Sequence, residues 1–181
     1  QKPHVGTDLL RGVIASIRRE IEELGGEVRF STALTGLDIR GGRLYAAHTS
    51  QGDVPCEAMI LAIGHSARDT FSALMENGLS MTCKPFSVGF RAEHLQREID
   101  RALDHAAAGN PALPCGEYQL SQHVGARCVY TFCMCPGGRV VAATSEEGRV
   151  VTNGMSQYSR AEFNANSGLV VAVDPERDYP G

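Results

Sequence analysis

The sequence predicts a mixed α/β (α+β) chain: a partial α/β layer built from a helix and a three-stranded meander, followed by a mostly antiparallel β region. Three observations carry that expectation. A helical period runs from Thr7 to Leu24, short strand-like pieces parted by glycine turns follow it, and beyond Lys84-Pro85 the pattern changes to two-residue alternation.

Leu10, Val13, Ile14, Ile17, Ile21 and Leu24 recur at three- and four-residue steps, with Arg18, Arg19, Glu20, Glu22 and Glu23 on the other faces, the mark of an amphipathic helix. Thr7 or Asp8 is the expected N-cap and Gly25 the left-handed stop. Strands are expected at Glu27–Ser31, Thr35–Ile39, Arg43–Thr49 and Cys56–Ile63, with Gly41-Gly42 and Gln51-Gly52-Asp53 as the turns of a meander. Met59 to Ile63 is continuously apolar and stops on Gly64, the pattern of a strand covered on both faces. Ser66 is the expected N-cap of a helix reaching about Asn77, with Phe71, Leu74 and Met75 on one face and Gly78 at its end.

In the second half Phe86, Val88 and Phe90 alternate with Ser87, Gly89 and Arg91 as in a half-buried strand, and Leu95, Ile99 and Leu103 suit a helix. Ala106 to Gly116 reads as a loop. Strands are expected near Tyr118–His123, Cys128–Cys133, Arg139–Ala143, Val150–Thr152 and Leu169–Val173. Pro136-Gly137-Gly138, Glu147-Gly148 and Asn153-Gly154 are read as the breaks between them.

The chain has 181 residues and 43% hydrophobic content, enough for a core. A net charge of -4 with no block of like charges argues against a nucleic-acid partner. The apolar runs fall far short of the roughly 20 residues that cross a bilayer, so no membrane span is expected. Gln1-Lys2-Pro3-His4 resembles neither a signal nor a transit peptide, so a cytoplasmic setting is expected, with the six cysteines as thiols. A helical pattern that starts within ten residues suggests a piece of something longer.

Gly64 is the first candidate for chemistry. A glycine at the carboxyl end of a buried strand lets bare backbone lie against a ligand, and the free amides of the following helix suit a phosphate. The competing reading is a glycine that only makes the strand-to-helix turn. His65 suits a phosphate contact or acid/base role, against a histidine that merely bonds the turn; Arg68 suits a phosphate, against a solvated surface arginine. Cys128, Cys133 and Cys135 near His123 raise zinc, yet zinc sites favour two ligand pairs and only Cys-x-Cys is present, so no metal is expected. On an extended strand Cys133 and Cys135 share a face, where they form a redox pair or pack as small inert groups; the inert packing is the expected state. Thr152-Asn153-Gly154-Met155-Ser156 has the donors of an active-site loop and is equally good turn chemistry. Glu146-Glu147 flanks a hairpin rather than forming a carboxylate pair, and no catalytic residue can be named.

The order helix, strand, meander and a closing strand ending Leu-Ala-Ile-Gly-His-Ser resembles the latter part of the FAD-binding domain in flavoproteins of the glutathione-reductase superfamily, whose final strand carries a signature matched by Ala62-Ile63-Gly64. The strings Pro3-His-Val-Gly-Thr7, Ala62-Ile-Gly-His-Ser-Ala-Arg-Asp-Thr-Phe71, Lys84-Pro-Phe-Ser-Val-Gly89, Phe132-Cys-Met-Cys-Pro-Gly-Gly138 and Val151-Thr-Asn-Gly-Met-Ser156 resemble the bacterial NAD(FAD)-utilising dehydrogenases. The Gly-x-Gly-x-x-Gly phosphate turn of such proteins is absent from the 181 residues, so the resemblance implies an internal segment, inactive by itself. It implies residues 1–80 as the end of an FAD-binding domain and 81–181 as a substrate domain. It also implies FAD as cofactor, NAD(P)H as reductant and a small-molecule substrate. Thr32, Ala33 and Leu34 would edge the adenine, and Ala62, Ile63, Gly64 and His65 would approach the pyrophosphate and ribityl chain. The alternative to such an oxidoreductase is a non-catalytic ligand- or protein-binding module.

Overall fold

A computed structural model describes residues 3–179. It is an α+β fold whose strands all pair antiparallel, in a three-stranded, a four-stranded and a two-stranded sheet. The chain divides into two compact units. One is Ile21–Cys83, and the other takes the chain on either side, up to Glu20 and from Lys84 onward.

Helix α1 spans Thr7–Glu23, as its period predicts, and Gly25 closes it at φ 88°. Its apolar stripe is uncovered: Leu10, Val13, Ile14, Ile17 and Ile21 are all exposed. At its start the Thr7 hydroxyl donates to the Ser156 carbonyl, and the Asp8 carboxylate accepts from the Tyr158 amide.

Within Ile21–Cys83, β1 (Leu34–Arg40), β2 (Arg43–Thr49) and β3 (Gly52–Pro55) form the meander in sequential order. Gly41 and Gly42 both take positive φ at the first turn, the backbone state a tight hairpin needs. Helix α2 (Arg68–Glu76) packs on β1, and Leu74, Leu37 and Ala47 are the buried apolar residues of this unit. Three expectations fail here. Glu27–Ser31 is not a strand, and the third strand ends at Pro55, so Cys56–Ile63 is irregular. A continuous apolar run makes a strand only beside a partner, and among the described residues none pairs with Met59–Ile63; Ile60 is 94% exposed. The third is the cap of α2, which is Ala67 instead of Ser66 and carries no side-chain cap bond.

In the other unit, β4 (Phe86–Leu95), β5 (Ser121–Val124), β6 (Arg127–Cys135) and β9 (Asn164–Val173) form a sheet ordered β4-β9-β6-β5. Helix α3 (Gln96–Asp104) packs against β4 and β9, and a 3-10 turn follows it at His105–Ala107 inside the expected loop region. β7 (Gly138–Ala142) and β8 (Thr152–Ser156) pair as a separate ribbon, and α4 (Pro175–Asp178) ends the described chain. Asn153-Gly154 lies inside β8, where a break was expected, because β7 supplies its ladder partners. One sheet face carries Phe86, Val88, Phe90 and Leu169, all exposed, with Phe90 at 84%. The opposite face carries Arg91, Glu93, Asn166 and Cys135, and the ribbon closes on it through the Val140 amide, which donates to Glu93 Oε2 at 2.7 Å. No helix among the described residues is long and apolar enough to cross a membrane.

Candidate functional site

The seven residues implied as cofactor contacts all lie in Ile21–Cys83. Ala33 is held on both main-chain groups by Ser50: its amide donates to Ser50 Oγ at 3.0 Å and its carbonyl accepts from the Ser50 amide at 2.9 Å. The Thr32 hydroxyl donates to the Phe30 carbonyl at 2.9 Å, and Leu34 opens β1, which lies at the edge of its sheet. Ala62, Ile63, Gly64 and His65 sit in the irregular stretch before α2. Gly64 has φ 71°, and a Cβ built on it would meet no atom within 4 Å, so its glycine character answers to backbone conformation and not to packing inside the chain. Among the described residues no hydrogen bond joins Thr32–Leu34 to Ala62–His65. What each group offers a ligand is separate: bare backbone at positive φ at Gly64, and at Leu34 the start of an edge strand.

The second unit holds a polar cluster that sequence reasoning found only in part. Arg91 on β4 donates from Nη1 to the Asn166 side-chain oxygen at 2.6 Å and to the Cys133 carbonyl at 3.1 Å, and lies 4.0 Å from Cys135 Sγ. Asn166 on β9 is 0% exposed, and its buried Nδ2 has no partner. A Cβ on Gly154 of β8 would stand 2.2 Å from both Arg91 Nη1 and Asn166 Oδ1 and 2.8 Å from Cys135 Sγ, so only a glycine lets the ribbon close on the cluster. The pairing of β6 with β9 slips between Phe132 and Cys135, and Cys133 takes φ 52° in that bulge. The two thiols are therefore not on the plain extended strand for which a shared face was expected. Cys133 is exposed and Cys135 half-buried; burial pushes the Cys135 thiol up, and the neighbouring Arg91 charge opposes that shift. Arg91 and Asn166 lie far apart in sequence, and only the β4-β9-β6 pairing joins them.

A second feature of this unit is an open groove of about 1290 Å³ whose lining includes His4, Asp104, Cys115, Glu117, Tyr158 and Arg160. Arg160 Nη1 donates to Glu117 Oε1 at 2.6 Å, while its Nε is buried without a partner. Its backbone is left-handed at φ 52°, and its carbonyl accepts from the Cys115 thiol at 3.4 Å. Gly137 is pressed against that carbonyl, because an added Cβ would stand 1.7 Å from the oxygen. The start of the chain joins in: His4 Nε2 donates to the Gln157 carbonyl at 3.0 Å, and the Tyr158 amide holds the Asp8 carboxyl below its ordinary value. Segments Pro3–Thr7, Phe132–Gly138 and Val151–Ser156, distant in sequence, thus meet around one loop. Among the described residues no three His, Cys, Asp or Glu side chains gather as a metal set.

Residues 85–181 match a family model described as FAD-dependent protein, C-terminal domain-like. A protein of Clostridium beijerinckii described as uncharacterized is similar to this chain, 48% identical over 182 residues that cover 99% of the chain and 34% of that protein. The chain therefore spans about a third of the length of the curated relative it matches. Since the family match takes in both outer strands β4 and β5, the shared strand β9 and the β7–β8 ribbon, more than half of its residues, the chain belongs to the FAD-dependent protein, C-terminal domain-like family.

Proposed function

We propose that this chain is a segment of an FAD-dependent oxidoreductase. The observation that carries the reading is the match of residues 85–181 to a family of FAD-dependent proteins. In this reading Ala62, Ile63, Gly64 and His65 line the cofactor near its pyrophosphate and ribityl chain, Gly64 giving bare backbone at positive φ, and Thr32 to Leu34 edge the adenine. Residues 1–80 then belong to the cofactor domain and 81–181 to a substrate domain. FAD, when bound, supplies hydride transfer; the chain binds and orients it. A nicotinamide as reductant, a small-molecule substrate and a cytoplasmic setting complete the proposal.

The test is made on a chain of the relative's full length. Purified, it is expected to be yellow, with flavin absorbance following the protein through gel filtration. Gly64→Val in that chain is expected to lower flavin affinity by about tenfold, the equivalent of about 1.4 kcal/mol. A colourless protein that takes up no FAD on reconstitution would overturn the oxidoreductase reading in favour of a ligand- or protein-binding module.

A further inference from the structure

We propose that Cys133 and Cys135 are a reversible dithiol–disulfide pair, oxidised by exchange with a low-molecular-weight disulfide of the glutathione type. The step needs no flavin, so it stands apart from the function proposed above.

Reach is the first requirement. Two residues of fully extended chain span at most about 7 Å, and a disulfide usually joins Cα atoms about 4.4–6.8 Å apart. The chain here is not a plain extended strand. The register slip sets Cys133 and Met134 together against Ser167, and Cys133 takes the left-handed φ of 52° that side-chain-bearing residues rarely adopt. The Cys135 thiol turns back along its own chain and lies 3.5 Å from the Cys133 carbonyl oxygen.

Asymmetry is the second. Cys133 is exposed and open to attack a disulfide from solvent, while Cys135 is half-buried beside the Arg91 guanidinium, 4.0 Å from its sulfur. Burial pushes the Cys135 thiol up, and the Arg91 charge works against that shift toward the thiolate, the form that performs exchange. Arg91 is fixed in turn by the fully buried Asn166 and by the Cys133 carbonyl, and Gly154 permits that closure. The remaining cysteines lack this setting. Cys56, Cys83, Cys115 and Cys128 each lie five or more residues from another cysteine along the chain.

The chemistry balances as two exchanges. The Cys133 thiolate attacks one sulfur of the small disulfide, forms a mixed disulfide and expels one thiolate. The Cys135 thiolate then attacks the Cys133 sulfur, forms the intrachain S–S bond and expels the second. The two thiol protons end on the two released thiolates, so the protein loses two hydrogens and the small disulfide is reduced to two thiols.

The experiment incubates the purified chain with oxidised glutathione near neutral pH, quenches with acid, alkylates free thiols and digests with chymotrypsin. Cleavage after Phe132 parts Cys133 and Cys135 from Cys128. The peptide beginning at Cys133 is expected two hydrogens lighter and unalkylated, with Cys56, Cys83, Cys115 and Cys128 alkylated. Cys135→Ser is expected to trap one glutathione on Cys133, and Cys133→Ser to leave Cys135 unmodified over the same time. Adding reduced glutathione to the oxidised wild-type chain is expected to restore both thiols, a readout that needs no variant to fold. A doubly alkylated peptide under excess oxidised glutathione overturns the proposal. So does glutathione on both cysteines of the wild-type chain, or modification of Cys135 in Cys133→Ser at the wild-type rate.

Discussion

The meander β1–β3 and the sheet β4-β9-β6-β5 are both antiparallel, yet different interactions specify them. The meander joins neighbours in sequence through glycine turns, and the buried apolar residues of its unit are Leu37, Ala47 and, on α2, Leu74. The larger sheet brings β9 from the end of the chain between β4 and β6, and its unit buries polar Asn166, Ser167 and, on α3, Gln96 beside the apolar Ala165 and Val173 of β9. Gln96 shows why that burial is tolerated, since its amide donates to Asp100 and the Gly116 carbonyl while its oxygen accepts from the Gly137 amide. A sheet of local hairpins needs only an apolar face and turns. In the one assembled from distant strands, Gln96 and the Asn166 side-chain oxygen find their partners only once distant segments meet, which ties register to that arrangement.

The largest expected effect lies where the distant segments meet. Gly137→Ala forces a Cβ to 1.7 Å from the Arg160 carbonyl oxygen at a φ of 51°. Adding about 1–2 kcal/mol for the left-handed backbone to about 1–3 kcal/mol for overpacking, the loss is about 4 kcal/mol, read by urea unfolding. Next comes the core of the other unit: Leu74 is 2% exposed, and Leu74→Ala is expected to cost about 3 kcal/mol. If the two sheets are specified separately, each substitution lowers the midpoint seen by probes in its own unit. A common shift of all probes by the same amount breaks the comparison.

A smaller effect separates the two regions by pH. Arg127 on β6 pairs with Asp178 on α4, and this pairing, followed by the hydrogen bond from the Asp174 amide, holds the Asp178 carboxyl well below the usual carboxylate range. A carboxyl whose folded value is depressed stabilises the fold above its unfolded value of about 3.9. That contribution is lost as pH falls through the folded value. Asp178→Asn is therefore expected to lower the Tm by a constant amount from neutral pH down to about pH 4, with the gap to wild type closing at lower pH. A gap that persists unchanged in strong acid would show that the residue acts by shape and not by charge.

How much of this the sequence reveals follows the same division. The period from Leu10 to Ile21 locates α1, Gly41-Gly42 locates the first hairpin, and Phe86, Val88 and Phe90 locate β4, because each signal is local. Asn153-Gly154 reads as a turn but lies in β8, since only its pairing with β7 overrides turn chemistry. At the site, Cys133 and Cys135 stand out as a pair in the sequence, but Arg91 and Asn166 do not, because their meeting depends on the β4-β9-β6 order. Gly64 is legible as a special backbone position and takes positive φ, whereas the strand expected before it is not formed.

That last mismatch gives the smallest effect and the sharpest contrast. As a strand covered on both faces, Met59–Ile63 would bury Ile60, and Ile60→Ser would open a cavity and place a hydroxyl in an apolar layer at a cost of several kcal/mol. In this fold Ile60 is 94% exposed on an irregular segment, so the substitution is expected to change unfolding free energy by no more than about 0.5 kcal/mol. The same variant in a chain of the relative's length asks whether residues beyond this segment supply the partner strands an apolar run requires. A loss of about 2 kcal/mol or more there, with none in the 181-residue chain, would show that burial of Ile60 comes from outside this segment, and that the wall ending at Gly64 is completed by the rest of the protein.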